Sequence, residues 1–185
     1  MNKIKNITTL IFVFILFFLV SGCTKENEDV QTLDYFKEHF NVEEFSSYEF
    51  NKKITYQSVL LKEEKVNAIA FNSEYIITTI EKVLASNEST EKYEITEKEA
   101  RVKDISNPLT LNLDEKYFES LDITSTKLSG KVNSDYSNEL LGVGVATNVR
   151  LEVKLNSDLK VSLVSVKYID NSSRFEVEMT VKYIY

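Results

Sequence analysis

The side chains that could do chemistry in this sequence are few and scattered. His39 is the only histidine, set between Glu38 and Phe40. As a general base it would need a nucleophile in reach and a third group to orient it. No Gly-x-Ser-x-Gly turn supplies a serine for that purpose. Zinc wants several nitrogen or sulfur ligands, and the chain holds one histidine and one cysteine, Cys23. A lone thiol excludes disulfide scaffolds and Cys-x-x-Cys redox centres together. Carboxylates do come in pairs: Glu43/Glu44, Glu63/Glu64, Asp114/Glu115 and Glu176/Glu178. A glycoside hydrolase needs two of them facing across a cleft, roughly 5–9.5 Å apart. Glu176 and Glu178 share a strand face with Lys182, and Arg150 and Lys154 on a neighbouring strand offer cross-strand ion pairs. Asp170-Asn171-Ser172-Ser173 and Asn156-Ser157-Asp158 do not match the twelve-residue calcium loop and read as turns. Gly142-Val143-Gly144 lacks the Lys-Ser/Thr of a phosphate loop and leads into a strand. It reads as a strand twist or a close backbone approach. No catalytic, cofactor-binding or metal-binding residue is assigned.

The sulfur of Cys23 has a different use. Lys3 and Lys5 open the chain without an acid, and Leu10 to Val20 is apolar throughout, followed by Ser21, Gly22 and Cys23. A charged start, a greasy centre and small residues at the exit are the parts of a secretory signal peptide. Counted from Ile7 the apolar run is about fourteen residues, short of the roughly 20 that a spanning helix needs. Val20-Ser21-Gly22-Cys23 resembles the lipobox of bacterial lipoproteins. The resemblance covers residues 1–23 and implies diacylglycerol on the Cys23 sulfur, cleavage between Gly22 and Cys23, and further acylation by a chain such as palmitate. It implies a place in the cell envelope, lipid-anchored on the extracytoplasmic face of a bacterial membrane. Residues 23–29 then read as the lipidated cysteine and a polar tether, and residues 30–185 as one globular domain.

Removing residues 1–22 from 185 leaves 163, with 20 basic against 29 acidic residues, a charge of −9. That balance disfavours nucleic acid, which wants clustered positive charge. The only membrane contact expected is the covalent lipid. A chain of this length buries enough surface to fold without disulfide or metal.

The elements that must position any site follow from periodicity. Val30, Leu33, Phe36 and Phe40 recur at helical spacing over residues 30–40, and a further short turn buries Val42, Phe45 and Tyr48. Residues 54–61 and 66–71 read as strands with Lys62-Glu63-Glu64-Lys65 as their turn. Residues 74–86 fit a helix through Ile76, Ile77, Ile80, Val83 and Leu84, although Tyr75 to Ile80 is β-branched enough for a strand. Residues 91–105 suggest an exposed, charged edge hairpin. Asp114 is expected to cap a helical turn reaching Leu121, ahead of a polar strand over residues 123–132. The last third alternates strictly from Val143 to Leu155, slips phase between Leu163 and Val164, and alternates again from Phe175 to Tyr185. Three strands with a bulge in the middle one are expected. Early helices and a late meander give an α+β class, with N-terminal helices packed on a curved antiparallel sheet. An all-β sandwich or small barrel is the alternative. The expected α+β arrangement is similar in general shape to cystatin-like and NTF2-like domains, by architecture alone and without a diagnostic motif of either.

The function expected from these residues is a non-enzymatic binding or interaction module at the membrane, for an envelope protein or a small ligand. A carboxylate-dependent envelope hydrolase, or an immunity or secretion accessory, is the alternative.

Overall fold

Apolar residues at two-residue spacing favour strands, and strands make up most of the described part of the chain. The computed structural model describes residues 32–39, 45–85 and 92–185. Among the described residues the strands are β1 (Ser47–Tyr56), β2 (Val59–Phe71), β3 (Glu74–Leu84), β4 (Tyr93–Val102), β5 (Phe118–Ile123), β6 (Lys127–Val132), β7 (Ala146–Leu155), β8 (Val161–Asp170) and β9 (Glu176–Ile184). They form one antiparallel nine-stranded sheet in the order β4-β3-β2-β1-β9-β8-β7-β6-β5. Among the described residues helix is confined to α1 (Leu33–His39), α2 (Ser137–Leu141) and two single 3-10 turns.

The α+β expectation is therefore wrong, and the unit is all-β. It is also neither sandwich nor closed barrel, because β4 and β5 remain the two edges of a single sheet. The decisive error lies in the helix expected over residues 74–86: Glu74–Leu84 form β3 and pair along their length with β2 and β4. Ile76, Ile77 and Ile80 fit both periods, and two flanking strands outweigh the local helical stripe. A second error concerns Lys62 to Lys65, which lie inside β2. The chain turns instead at Gln57 and Ser58, both at positive φ (49° and 68°), between the paired Tyr56 and Val59. Two left-handed residues are what a tight hairpin needs, but Gln-Ser is not a sequence that announces one. The expected edge hairpin over residues 91–105 is a single edge strand, β4. The helical turn capped by Asp114 is the 3-10 turn Glu115–Tyr117, which gives way to β5 well before Leu121. The expected polar strand over 123–132 begins only at Lys127.

Other elements form where periodicity placed them. The helix over residues 30–40 appears as α1, burying Leu33 and Phe36. The three closing strands are β7, β8 and β9, but the strict alternation expected from Val143 holds only from Val149: a register shift between Thr147 and Arg150 turns Ala146 inward and leaves Val145 exposed. The bulge falls at Ser162, skipped where Lys154 faces Leu163 but Leu155 faces Val161.

One face of the sheet is covered and the other open. Val177, Met179, Val181 and Tyr183 of β9, Val164 and Val166 of β8, and Val149, Leu151 and Val153 of β7 point to the covered face. Its cover comes from topology. β4 and β5 lie at opposite edges, so the chain between them must cross the whole sheet. Eight strand spacings are about 38 Å, within the roughly 50 Å that residues 103–117 span when extended. On the way Leu109, Leu111 and Leu113 alternate inward and are buried, as is Tyr117. A hydrogen bond fastens this strap to the centre of the sheet, the Tyr183 hydroxyl donating to Asn107 Oδ1 at 2.6 Å. The cover does not extend under the outer strands: in β2, β3 and β4, Ala68 alone is buried.

Gly142 and Gly144 mark neither twist nor close approach. Both have positive φ (66° and 75°) with open space around them, so backbone conformation explains the glycines. Gly142 closes α2 in the left-handed conformation, and β7 starts only at Ala146.

Burial of phenols makes the fold sensitive to alkali. Tyr48, Tyr168, Tyr183 and Tyr185 are all pushed above the ordinary tyrosine range by loss of solvent. A group whose pKa is raised on folding holds its proton more tightly in the native state. Its contribution is complete below about pH 10 and is lost as pH rises above that value. Tyr183 alone gives a slope of about 1.4 kcal/mol per pH unit there. The urea midpoint should be flat from pH 7 to about 9.5 and fall steeply beyond, with a shallower fall in Tyr183→Phe. A midpoint unmoved at pH 11 would refute this.

Candidate functional site

The open face over β5 to β9 is where the polar half of the strand alternation comes together. Glu176, Glu178, Thr180 and Lys182 project from β9, and Leu163, Ser165 and Lys167 from β8. Arg150, Glu152 and Lys154 come from β7, Ser129 and Lys131 from β6, and Ser120 and Asp122 from β5. Register sorts them into rows. Lys131 stands opposite Arg150, which stands opposite Lys167, which stands opposite Glu178. The next row holds Ser129, Glu152, Ser165 and Thr180.

Most charges on this face are paired. Glu152 takes Lys127 and Lys154, each at 2.9 Å, and hydrogen bonds from Lys154 and then Lys127 hold its carboxyl below the usual range. Glu178 takes Lys167 at 3.1 Å, Glu49 takes Lys182 at 3.5 Å, and Glu119 takes Lys131. Arg150 does not pair with Glu176 or Glu178 as the sequence suggested; Lys167 holds that place.

Two open troughs meet on this face. The larger, of about 860 Å³, runs over β5 to β9 past Ser129, Arg150, Ser165 and Thr180. The smaller, of about 520 Å³, lies toward β1 past Lys53, Asn148 and Glu176. Arg150, Lys167 and Glu178 line both. The lining offers hydroxyls, a guanidinium and ion-paired carboxylates, a surface suited to hydrogen bonding.

The residues singled out in the sequence are dispersed. Gly22, Cys23, Glu43, Glu44 and the His39 side chain lie outside the described residues. Glu63 and Glu64 point to opposite faces of β2, and Glu63 faces Lys65 at 3.5 Å and Lys53 at 3.9 Å. Asp114 caps its 3-10 turn, its Oδ1 accepting from the Lys116 amide at 3.1 Å. Asp170 Oδ1 accepts from the amides of Ser172 and Ser173 at 2.8 and 3.0 Å, and Asn156 Oδ1 from those of Asp158 and Lys160 at 3.0 and 2.9 Å. Both are turn chemistry. Among the described residues no group of three or more His, Cys, Asp or Glu could hold a metal ion. The hydroxyls of Ser129, Ser165 and Thr180 were missed; their one signal is the outward phase of the alternation.

Comparison with protein-family models, with curated proteins and with solved structures finds no match to this chain.

Proposed function

We propose that this chain is a lipoprotein, held on the extracytoplasmic face of a bacterial membrane by lipid on Cys23, whose folded unit is a non-enzymatic binding module. The observation that carries the module is the asymmetry of the sheet. One face is packed under the 103–117 strap and its leucines. The other is left open across five strands, with two adjoining troughs. Leu109, Leu111, Leu113 and Tyr117 occupy the covered face, so the open face, polar as it is, favours a polar partner over an apolar ligand. Lipidation rests on the residues 20–23 motif, and among the described residues no helix is long and apolar enough to cross a membrane.

The hydrolase reading draws no support from the electrostatics. A carboxylate pair divides acid and base roles when environments push their pKa values apart, one of them upward. Glu81, Asp114, Glu152 and Asp170 are all held low instead, each chiefly by hydrogen bonds to its carboxylate.

The test is site-directed photo-crosslinking in living cells. A photo-reactive residue at Ser165, which lines the larger trough, should yield a discrete adduct that Thr180→Trp suppresses. The same residue at Thr96, exposed on β4, should not. No adduct from Ser165, or the same adduct from Thr96, would remove the open face as the binding surface.

A further inference from the structure

We infer that Arg150 anchors an oxyanion-binding site, taking a carboxylate or phosphate group on the ligand of the module proposed above, the reading on which this one rests. Three cations stand side by side across β6, β7 and β8, because Lys131 and Lys167 both lie directly opposite Arg150. Like charges directly opposite one another weaken sheet pairing. The chain carries 29 acids against 22 bases, so its composition does not force this row. Two of the three are neutralised within the protein, Lys131 by Glu119 and Lys167 by Glu178. Arg150 is not. Among the described residues its guanidinium, exposed to solvent, has no ion pair or hydrogen bond.

The carboxylates nearest in register cannot serve it without loss elsewhere. Glu152, two residues along the same strand face, is held by two lysines, and Glu178 by one. Asp122 and Glu176 lie on β5 and β9, each two strands away from Arg150. What remains is a free forked donor where the troughs join, with Ser129 and Ser165 one row away. A guanidinium presents parallel N–H groups that match the two oxygens of a carboxylate or phosphate. The hydroxyls one row away supply further donors. This arrangement assigns the ligand class.

The chain has three arginines, Arg101, Arg150 and Arg174, so their Nε–H resonances can be followed one by one in ¹⁵N-labelled full-length protein in neutral detergent micelles. Inorganic phosphate is titrated in one arm and succinate in the other, at constant ionic strength. The Arg150 resonance should move saturably while Arg101 and Arg174 stay in place. Movement with phosphate alone, or with succinate alone, identifies the source within the class. Arg150→Gln, which removes the like-charge opposition at an exposed position and should hold or raise the urea midpoint, should weaken binding about tenfold to a hundredfold. Equal, unsaturable movement of all three arginines, or none at tens of millimolar anion, would overturn the assignment. If that happened while Ser165 still gave its adduct in the Arg150→Gln variant, the module would stand and the oxyanion would fall. Loss of the Ser165 adduct in the unmodified chain would instead remove the module, whatever the anions did.

Discussion

Cells producing the Cys23→Ser variant should incorporate no labelled palmitate into this protein, whereas the unmodified chain should carry label and the mass of its acyl groups. The expected change is from full labelling to background, because the thioether needs the only sulfur at the signal exit. The consequence for location is also large. Each buried methylene contributes about 0.8 kcal/mol, so two or three acyl chains hold a protein on a bilayer where a single chain holds it only marginally. A −9 mature chain has no polybasic cluster to substitute for them. A chain starting with serine at position 23, exported behind a cleavable signal, should therefore be recovered in the aqueous phase after detergent partition. Label retained in Cys23→Ser, or none in the unmodified protein, would end the lipoprotein reading.

Tyr183→Ala should cost roughly 3–5 kcal/mol, the range for removing a buried aromatic ring, out of a total stability of about 5–15 kcal/mol for a domain. The site joins four parts of the chain. Tyr183 lies on β9, stands opposite Tyr48 of β1, packs at 5.4 Å centroid distance against Phe45, and hydrogen-bonds to Asn107 of the strap. Truncation leaves a cavity where the strap meets the central strands. A domain of this size should lose about 6–20 °C in Tm. Tyr183→Phe separates the ring from the hydroxyl. Asn107 Oδ1 still accepts the Leu109 amide at 3.1 Å, so it is not orphaned, and the loss should be near 1 kcal/mol. Thermal and urea unfolding of both variants measure the difference. An alanine variant within 1 kcal/mol of the parent would show that the strap is not fastened there.

The contrast between the two termini of the domain shows what one-dimensional pattern can carry. β7, β8 and β9 were legible because each buries one face only, so the two-residue period survives in the sequence and even the bulge at Ser162 shows as a phase slip. β2 and β3 were not. Their residues are partly exposed on both faces, which erases the alternation, and their turn uses Gln57 and Ser58 at positive φ without glycine or asparagine. The capping turn at Asp114 was legible because its chemistry is local. The strap was not, because nothing in Leu109, Leu111 and Leu113 says which sheet they cross.

The same division holds for the site. Lys131, Arg150 and Lys167 are separated by many residues in the chain, and each by itself is an ordinary outward side chain of an alternating strand. Only hydrogen-bond register brings them into one row, and only the positions of Glu119 and Glu178 decide which of the three keeps its charge free. The sequence by itself carries the Val20–Cys23 motif on which the lipoprotein proposal rests, and it made legible the strands that bury one face. Tertiary structure decided the sheet order, the covering strap and the unpaired guanidinium. Short-range signals depend on neighbours along the chain, whereas pairing partners many residues apart are chosen by the free energy of the whole sheet.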